Sequence, residues 1–271
     1  MGSNPTSSAT SLARSDRLLK TILIIGVGAG DPDQITVQAV KALNRADAIF
    51  LLDKGPAKHK LGDIRREICR RHMAGRDFRF VDATNPERER DGDYLAGVSD
   101  LNARKQAVFE RLIGEELRDG ECGAFMVWGD PSLYDSTIRI IEAIEAKGAL
   151  RFDWEVIPGV TSLQALTARH RTTLNEIGGA VTITPGRRLG ERLPEGIDDV
   201  AVMLDAENAF LRLADDDDVE IFWGAYVGTP DEILVSGRLA DVKEEIVRRR
   251  AQAREANGWI MDSYLLRRRP S

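Results

Sequence analysis

The chain has 271 residues, 42% of them hydrophobic and 30% charged, with a formal net charge of -6. That length can bury a core for two domains or one large one, and no apolar run approaches a membrane span, so a bilayer is not an expected partner. The acidic balance argues against general nucleic-acid binding, which needs a basic face to displace counterions.

Two cysteines, Cys69 and Cys122, and three histidines, His59, His72 and His170, share no metal-ligand spacing. Neither a disulfide framework nor a metal site is expected, and a reducing cytoplasm suits the thiols. Residues 1–19 open with a Ser-, Thr- and Ala-rich stretch lacking the apolar core of a secretory signal, and they read as a disordered tail.

The first structured element is Ile22–Ile25, an apolar run that predicts a fully buried strand. The run G-V-G-A-G-D-P-D-Q-I-T at Gly26–Thr36 follows. Its alternate glycines let the backbone turn sharply with no Cβ in the way of a ligand, and Asp31, Pro32 and Gln34 predict a helix capped at Asp31. A dinucleotide loop is the obvious alternative. The spacing G-x-G-x-G lacks the third glycine of that fingerprint, and Asp31 and Asp33 put two carboxylates where a pyrophosphate would sit. A tight turn with no ligand remains the simple reading of this loop taken alone.

The helix carries Ile35, Ala39, Ala42, Leu43 and Ala46 on one side, and Ala48–Leu52 predicts a second buried strand, completing a parallel crossover. Asp53 and Lys54 then lie just past a strand's carboxyl end, where open α/β sheets place ligands; a solvated Asp-Lys-Gly turn fits the same residues equally well. A helix at Leu61–Met73 concentrates Arg65, Arg66, Arg70 and Arg71. Most of these suit a solvated face, while a few could meet an anionic small molecule through bidentate guanidinium contacts. A strand at Phe78–Val81, a charged loop at 85–92, a helix at Asn102–Arg118 and a third buried strand at Gly123–Val127 come next.

That strand runs into W-G-D-P-S-L-Y at Trp128–Tyr134, a second glycine corner, and Asp135 is placed to cap a helix over Ser136–Lys147. Trp128 and Tyr134 also suit core positions, so the backbone and Asp130 are the better ligand contacts. Trp154–Ile157 predicts a strand leading into P-G-V-T-S at Pro158–Ser162, whose hydroxyls suit the start of a helix running to about His170. Strands are expected at Ala180–Thr184, Val200–Leu204, Glu220–Tyr226 and Ile233–Ser236, with a solvated turn at Asp215–Asp218 and a charged helix from Ala240 to about Glu255. The second corner marks the expected boundary between an N-terminal α/β domain with a parallel sheet, 20–134, and a C-terminal α/β domain with a mixed sheet, 135–271.

In series, V-G-A-G-D-P, G-D-P-S-L-Y and P-G-V-T-S resemble the tetrapyrrole methylase family, from about Thr21 to about Ala253. The resemblance implies two α/β domains of the tetrapyrrole methylase type with the active site in the cleft between them. It also implies S-adenosyl-L-methionine as methyl donor, S-adenosyl-L-homocysteine as product, a tetrapyrrole substrate and a homodimer. L-L-D-K-G at 51–55, W-G-D-P-S-L-Y-D-S-T at 128–137, A-R-H-R at 168–171, T-P-G-R-R-L at 184–189 and V-M-L-D at 202–205 narrow it to the branch in aerobic cobalamin synthesis that methylates C1 and releases acetate. Another ring position or diphthine synthesis remains open within the family; outside it stand a nicotinamide-dependent oxidoreductase and a noncatalytic tetrapyrrole binder.

Carried over by motif, cofactor contacts are expected at Trp128, Gly129, Asp130, Leu133, Thr161, Ser162, Leu204, Ala225 and Gly228, with Leu204 standing where the family often has methionine. Gly28, Ala29 and Gly30 are expected on the substrate side, Ala29 standing where many members have proline. Asp53 is the expected catalytic or substrate-orienting carboxylate, with Lys54 and Tyr134 as further candidates, and Arg104, Arg187 and Arg188 are expected to meet the macrocycle's carboxylates. A sulfonium is positive, so under this resemblance Asp31 no longer opposes the ligand.

Overall fold

Neighbouring side chains of an extended strand point to opposite faces, and β1 (Lys20–Gly26) buries both. Ile22 and Ile24 join Phe50, Phe109, Phe125 and Ile140 in one core, while Leu23 and Ile25 join Ala39, Leu43, Ile49 and Ile68 in another. A strand covered on both sides is apolar throughout, which is why Ile22–Ile25 shows no alternation. The computed structural model describes residues 19–53, 59–73, 75–86, 94–214 and 218–268. The tail expected over 1–19 lies outside them except for Leu19, as do Lys54 and all of the expected Asp215–Asp218 turn but Asp218.

The first unit comprises residues 1–27 and 35–159. Its sheet has the order β3-β2-β4-β1-β5, formed with β2 (Ala48–Asp53), β3 (Arg79–Thr84), β4 (Cys122–Val127) and β5 (Phe152–Ile157), and every pairing is parallel. Helices α1 (Val37–Leu43) and α2 (His59–His72) supply the apolar cover of one face, and α3 (Tyr94–Glu115) and α4 (Thr137–Lys147) that of the other. Because β5 pairs with β1 and α4 packs on α3, this unit continues well past the boundary expected at residue 134, and residues 28–34 group with the second unit.

The expected cap at Asp31 also differs. Residues Pro32–Gln34 make one 3-10 turn in which Asp31 Oδ1 accepts from the Asp33 amide at 2.9 Å. Helix α1 starts at Thr36, whose hydroxyl accepts from the Ala39 amide at 3.0 Å, and Gln34 accepts from the Ala29 amide at 3.2 Å instead of closing a capping box. Two consecutive short-range acceptors, Asp31 and Thr36, compete to start the helix, and the one directly before the apolar stripe prevails. Helix α3 begins at Tyr94, well before the expected Asn102.

The second unit holds α5 (Ser162–His170), β6 (Val181–Pro185), β7 (Asp199–Met203), β8 (Val219–Ala225), β9 (Ile233–Arg238), α6 (Leu239–Asn257) and β10 (Asp262–Arg268). Its sheet order is β6-β7-β10-β8-β9, with β6 and β7 parallel and the remaining pairs antiparallel. The central strand β10 is absent from the expected elements. Charged groups flank its apolar middle: Arg250 Nε meets Asp262 Oδ2 at 2.8 Å, the Trp223 indole donates to the same oxygen at 3.0 Å, and Arg267 Nε meets Asp199 Oδ1 at 2.6 Å. Arg250 Nη2 also donates to the Asp205 carbonyl at 2.6 Å, and the Tyr264 hydroxyl donates to Asp205 Oδ2 at 2.7 Å. Burial pushes the Asp262 carboxyl up, and the Arg250 guanidinium opposes that shift.

Replacing Arg250 by Met leaves the Asp262 carboxylate buried without its cation. The expected loss is about 3 kcal/mol of unfolding free energy in urea titration, and an unchanged midpoint would mean that β10 does not depend on this pair.

Candidate functional site

Parallel pairing puts the carboxyl ends of β1, β4 and β5 side by side, so the turns that follow these strands are neighbours although far apart in sequence. A Cβ at Gly159 would lie 2.2 Å from the Gly129 carbonyl oxygen and 2.8 Å from Gly26 Cα; one at Gly26 would lie 2.6 Å from the Gly159 nitrogen. No side chain fits at either position, and the ends of the three strands meet backbone to backbone through Gly26, Gly129 and Gly159 in the first unit.

Asp130 fixes this meeting point. Its Oδ2 accepts from the Gly159 amide at 2.8 Å, and its Oδ1 accepts from the Ser132 amide at 2.8 Å and from the Ser132 hydroxyl. Burial pushes this carboxyl up, but the bonds from Ser132 and Gly159 outweigh it and hold the group below its ordinary value. Its contribution to stability is therefore complete above the unfolded carboxyl's pKa of about 4 and is lost as pH falls through the lower folded value. Both oxygens are spent on the corner, so Asp130 shapes the backbone there. Gly129 at φ 69° and Tyr134 at φ 53° bracket the corner in left-handed geometry, and Tyr134 is exposed. Left-handed geometry costs a non-glycine residue about 1 kcal/mol, a strain that marks functional loops. Leu133 is half-buried between them, its amide donating to the Asp130 carbonyl at 3.2 Å, and Trp128 places its indole nitrogen in a buried position.

In the second unit the glycine loop serves packing on its Cβ side. A Cβ at Gly30 would meet Thr229 Cγ2 at 2.6 Å, one at Gly28 would meet Gln34 Cβ at 3.0 Å, and one at Gly228 would meet the Asp31 amide nitrogen at 3.1 Å. Ala29 is buried among Ala165, Leu166 and Val227. The face expected to be bare for a ligand is thus filled by the protein itself, which leaves the loop's polar backbone atoms as its means of contact.

Thr161 is the N-cap of α5 in a full capping box with Gln164, and Ser162 is the first helical residue. Ala225 ends β8 fully buried. Leu204 follows β7 at φ 51° and is 59% exposed, an apolar side chain in strained geometry facing solvent. Arg187 and Arg188, both exposed, sit on the 3-10 turn after β6, the parallel neighbour of β7, and so share a sheet edge with Leu204. Asp53 is the last residue of β2, opposite Thr84, at the carboxyl edge of the first sheet. Arg104 lies on α3 and pairs one turn back with Asp100 at 2.7 Å. The pairing of Gly26 and Gly159 with Gly129 is absent from the expected contacts; the signal for it in the sequence is that each of these glycines ends or closely follows a buried strand.

The sequence profile of the tetrapyrrole (corrin/porphyrin) methylases matches residues 21–243. The chain belongs to the tetrapyrrole methylase family. This methylase is 51% identical over 251 residues to precorrin-6A synthase (deacetylating) from Sinorhizobium sp, covering 92% of this chain and 96% of that one. The crystal structure of a cobalamin synthesis related protein (CobF) from Corynebacterium diphtheriae is 36% identical with a TM-score of 0.78, covering 92% of this chain and 99% of that one. Uroporphyrin-III C-methyl transferase from Thermus thermophilus, complexed with S-adenyl homocysteine, shares the fold at a TM-score of 0.55 and 18% identity, covering 91% and 96%. Membership makes the chain an S-adenosylmethionine-dependent methyltransferase.

Gly159→Ala forces a Cβ against the Gly129 carbonyl and is expected to cost about 3 kcal/mol of stability, near the upper end for overpacking. Gly62→Ala is the control. Gly62 lies within α2 with open space around its Cβ direction, so this change is expected to stabilise by about 1 kcal/mol. Equal unfolding midpoints for the two variants would contradict the close backbone approach.

Proposed function

We propose that this tetrapyrrole methylase is a precorrin-6A synthase of the deacetylating kind, converting precorrin-5, S-adenosylmethionine and water into precorrin-6A, S-adenosylhomocysteine and acetate. The observation carrying this reading is the 51% identity across 92% of the chain to the Sinorhizobium relative of that name. The junction of Gly26, Gly129 and Gly159 supports it, because the G-D-P corner and the glycine of P-G-V-T-S meet there beside Gly26, the residue immediately before V-G-A-G-D-P.

When bound, the donor supplies a methyl group on a sulfonium. The chain's task is mainly positioning, since in-line transfer to a ring carbon needs alignment more than proton transfer. Trp128, Gly129, Asp130 and Leu133, with Thr161, Ser162, Leu204, Ala225 and Gly228, are proposed to form the donor's contacts, largely through backbone atoms. Gly28, Ala29 and Gly30 are proposed to face substrate through their backbone, and Arg104, Arg187 and Arg188 to meet its carboxylates. Asp53 is the proposed carboxylate that orients substrate or accepts a proton, with Lys54 and Tyr134 as further candidates. Assembly as a homodimer in the cytoplasm, without metal or nucleic acid, completes the proposal.

Incubating the purified protein with precorrin-5 and methyl-labelled S-adenosylmethionine tests the reading directly. The expected products are a labelled macrocycle lacking its acetyl group and stoichiometric acetate; a labelled macrocycle that keeps the acetyl group would assign the chain another ring position. Leu204→Ala, which removes exposed apolar surface without touching the core, is expected to weaken S-adenosylhomocysteine binding about fivefold, or about 1 kcal/mol, in calorimetry while leaving the unfolding midpoint unchanged. Unaltered affinity would take Leu204 out of the donor site.

A further inference from the structure

The first unit contains a cavity of about 80 Å³ at the carboxyl ends of β2 and β4, next to the Trp128–Tyr134 corner. At roughly 10–15 Å³ per water centre, it holds a handful of waters or one small solute. Its wall mixes aromatic rings, among them Phe109 and Phe125, with Arg65, Lys105, Trp128 and Asp135.

The polar groups present a surplus of donors. Arg65 Nε donates to the Met126 carbonyl at 3.0 Å and Nη1 to the Leu61 carbonyl at 3.1 Å, and among the described residues it forms no ion pair. Neutral carbonyls orient the guanidinium without cancelling its charge. Lys105 has one long bond, 3.4 Å to the Ser136 hydroxyl. The Trp128 Nε1–H is buried with no hydrogen-bond partner among the described residues, and the Arg65 guanidinium carbon lies 5.8 Å from that ring's centre. Asp135 is the counter-charge, and its Oδ1 already accepts from the Thr137 amide at 2.7 Å. Among the described residues, two cations and one carboxylate leave one uncompensated positive charge beside an orphan donor. Burial lowers Arg65 to about 10 and lowers Lys105, with Asp135 opposing both shifts, as expected for cations short of a partner.

We propose that this cavity is a binding site for a small aliphatic carboxylate, its two oxygens taking the free donors of Arg65, Lys105 and Trp128 and its methyl end lying against the aromatic wall. A monoanion of acetate size satisfies all three deficits together: net charge, the unpaired N–H and the apolar remainder. The cavity is too small for a macrocycle. Resting on the deacetylase reading, the site either retains the released two-carbon acid or seats an acetate side arm of the substrate.

The test uses sodium acetate as probe, with the S-adenosylhomocysteine-bound full chain observed by saturation-transfer NMR. Millimolar acetate binding is expected, weakened at least tenfold in Arg65→Gln and severalfold in Lys105→Met, with S-adenosylhomocysteine affinity unchanged in both. Lys105→Met keeps the aliphatic stem and decides the matter should Arg65→Gln not fold. Absence of acetate binding to wild-type protein that binds S-adenosylhomocysteine, or binding indifferent to the variants that fold, overturns the proposal. Inhibition of turnover separates the two sources: acetate competitive with precorrin-5 indicates the side arm, and noncompetitive inhibition the released acid. Arg65-dependent acetate binding in an enzyme that methylates without releasing acetate would retain the cavity and sink the deacetylase reading instead.

Discussion

The contact on which the first unit turns is the backbone approach of Gly26, Gly129 and Gly159. Three parallel strands end at the same edge, and the spacing of neighbouring strands, about 4.8 Å, brings the following turns within reach only if no Cβ intervenes. Asp130 then closes the arrangement, its carboxylate joining the turn after β4 to the turn after β5. Sequence-distant motifs thus become one object through sheet topology. Each alone is a common glycine turn; Gly26 and Gly159 must be glycine because of one another and of the Gly129 carbonyl, while Gly129 is suited by its left-handed φ.

The second unit solves a different problem. Its central strand, β10, has few apolar residues and ends in arginines, so it is held by charge as much as by burial: Arg250 with Asp262, and Arg267 with Asp199. A buried ion pair is weak evidence for stability, but its geometry specifies register, since sliding β10 by one residue would move Tyr264 and Leu266 to the opposite face of the sheet and part both pairs.

These differences explain what was legible. Ile22–Ile25, Ala48–Leu52 and Gly123–Val127 are apolar because both faces are covered, and such runs are visible in any window. The segment Asp262–Arg268 is not, because its burial depends on partners that are tens of residues away. The P-G-V-T-S helix start was legible from local hydroxyl chemistry, whereas the start at Thr36 was obscured by the equally plausible cap at Asp31. Arg65 stood out only as one of four clustered arginines. Its separation from Arg66, which pairs with Asp82, and from Arg70 and Arg71, which pair with Glu67, comes from the helical turn that points it toward the Met126 carbonyl.

That separation bears on how one chain can serve two chemistries with opposite charge demands. A sulfonium is destabilised by nearby cations, whereas a carboxylate product needs them. In the first unit the turns around Gly26, Gly129 and Gly159 are built from backbone and one carboxylate, while among the described residues Arg65 and Lys105, with Asp135 as their one counter-charge, face a cavity walled by aromatic rings. Holding Arg65 by backbone carbonyls is what makes this division possible. An acidic partner at the same place would orient the guanidinium equally well but neutralise it, and the cavity would then have no reason to prefer an anion.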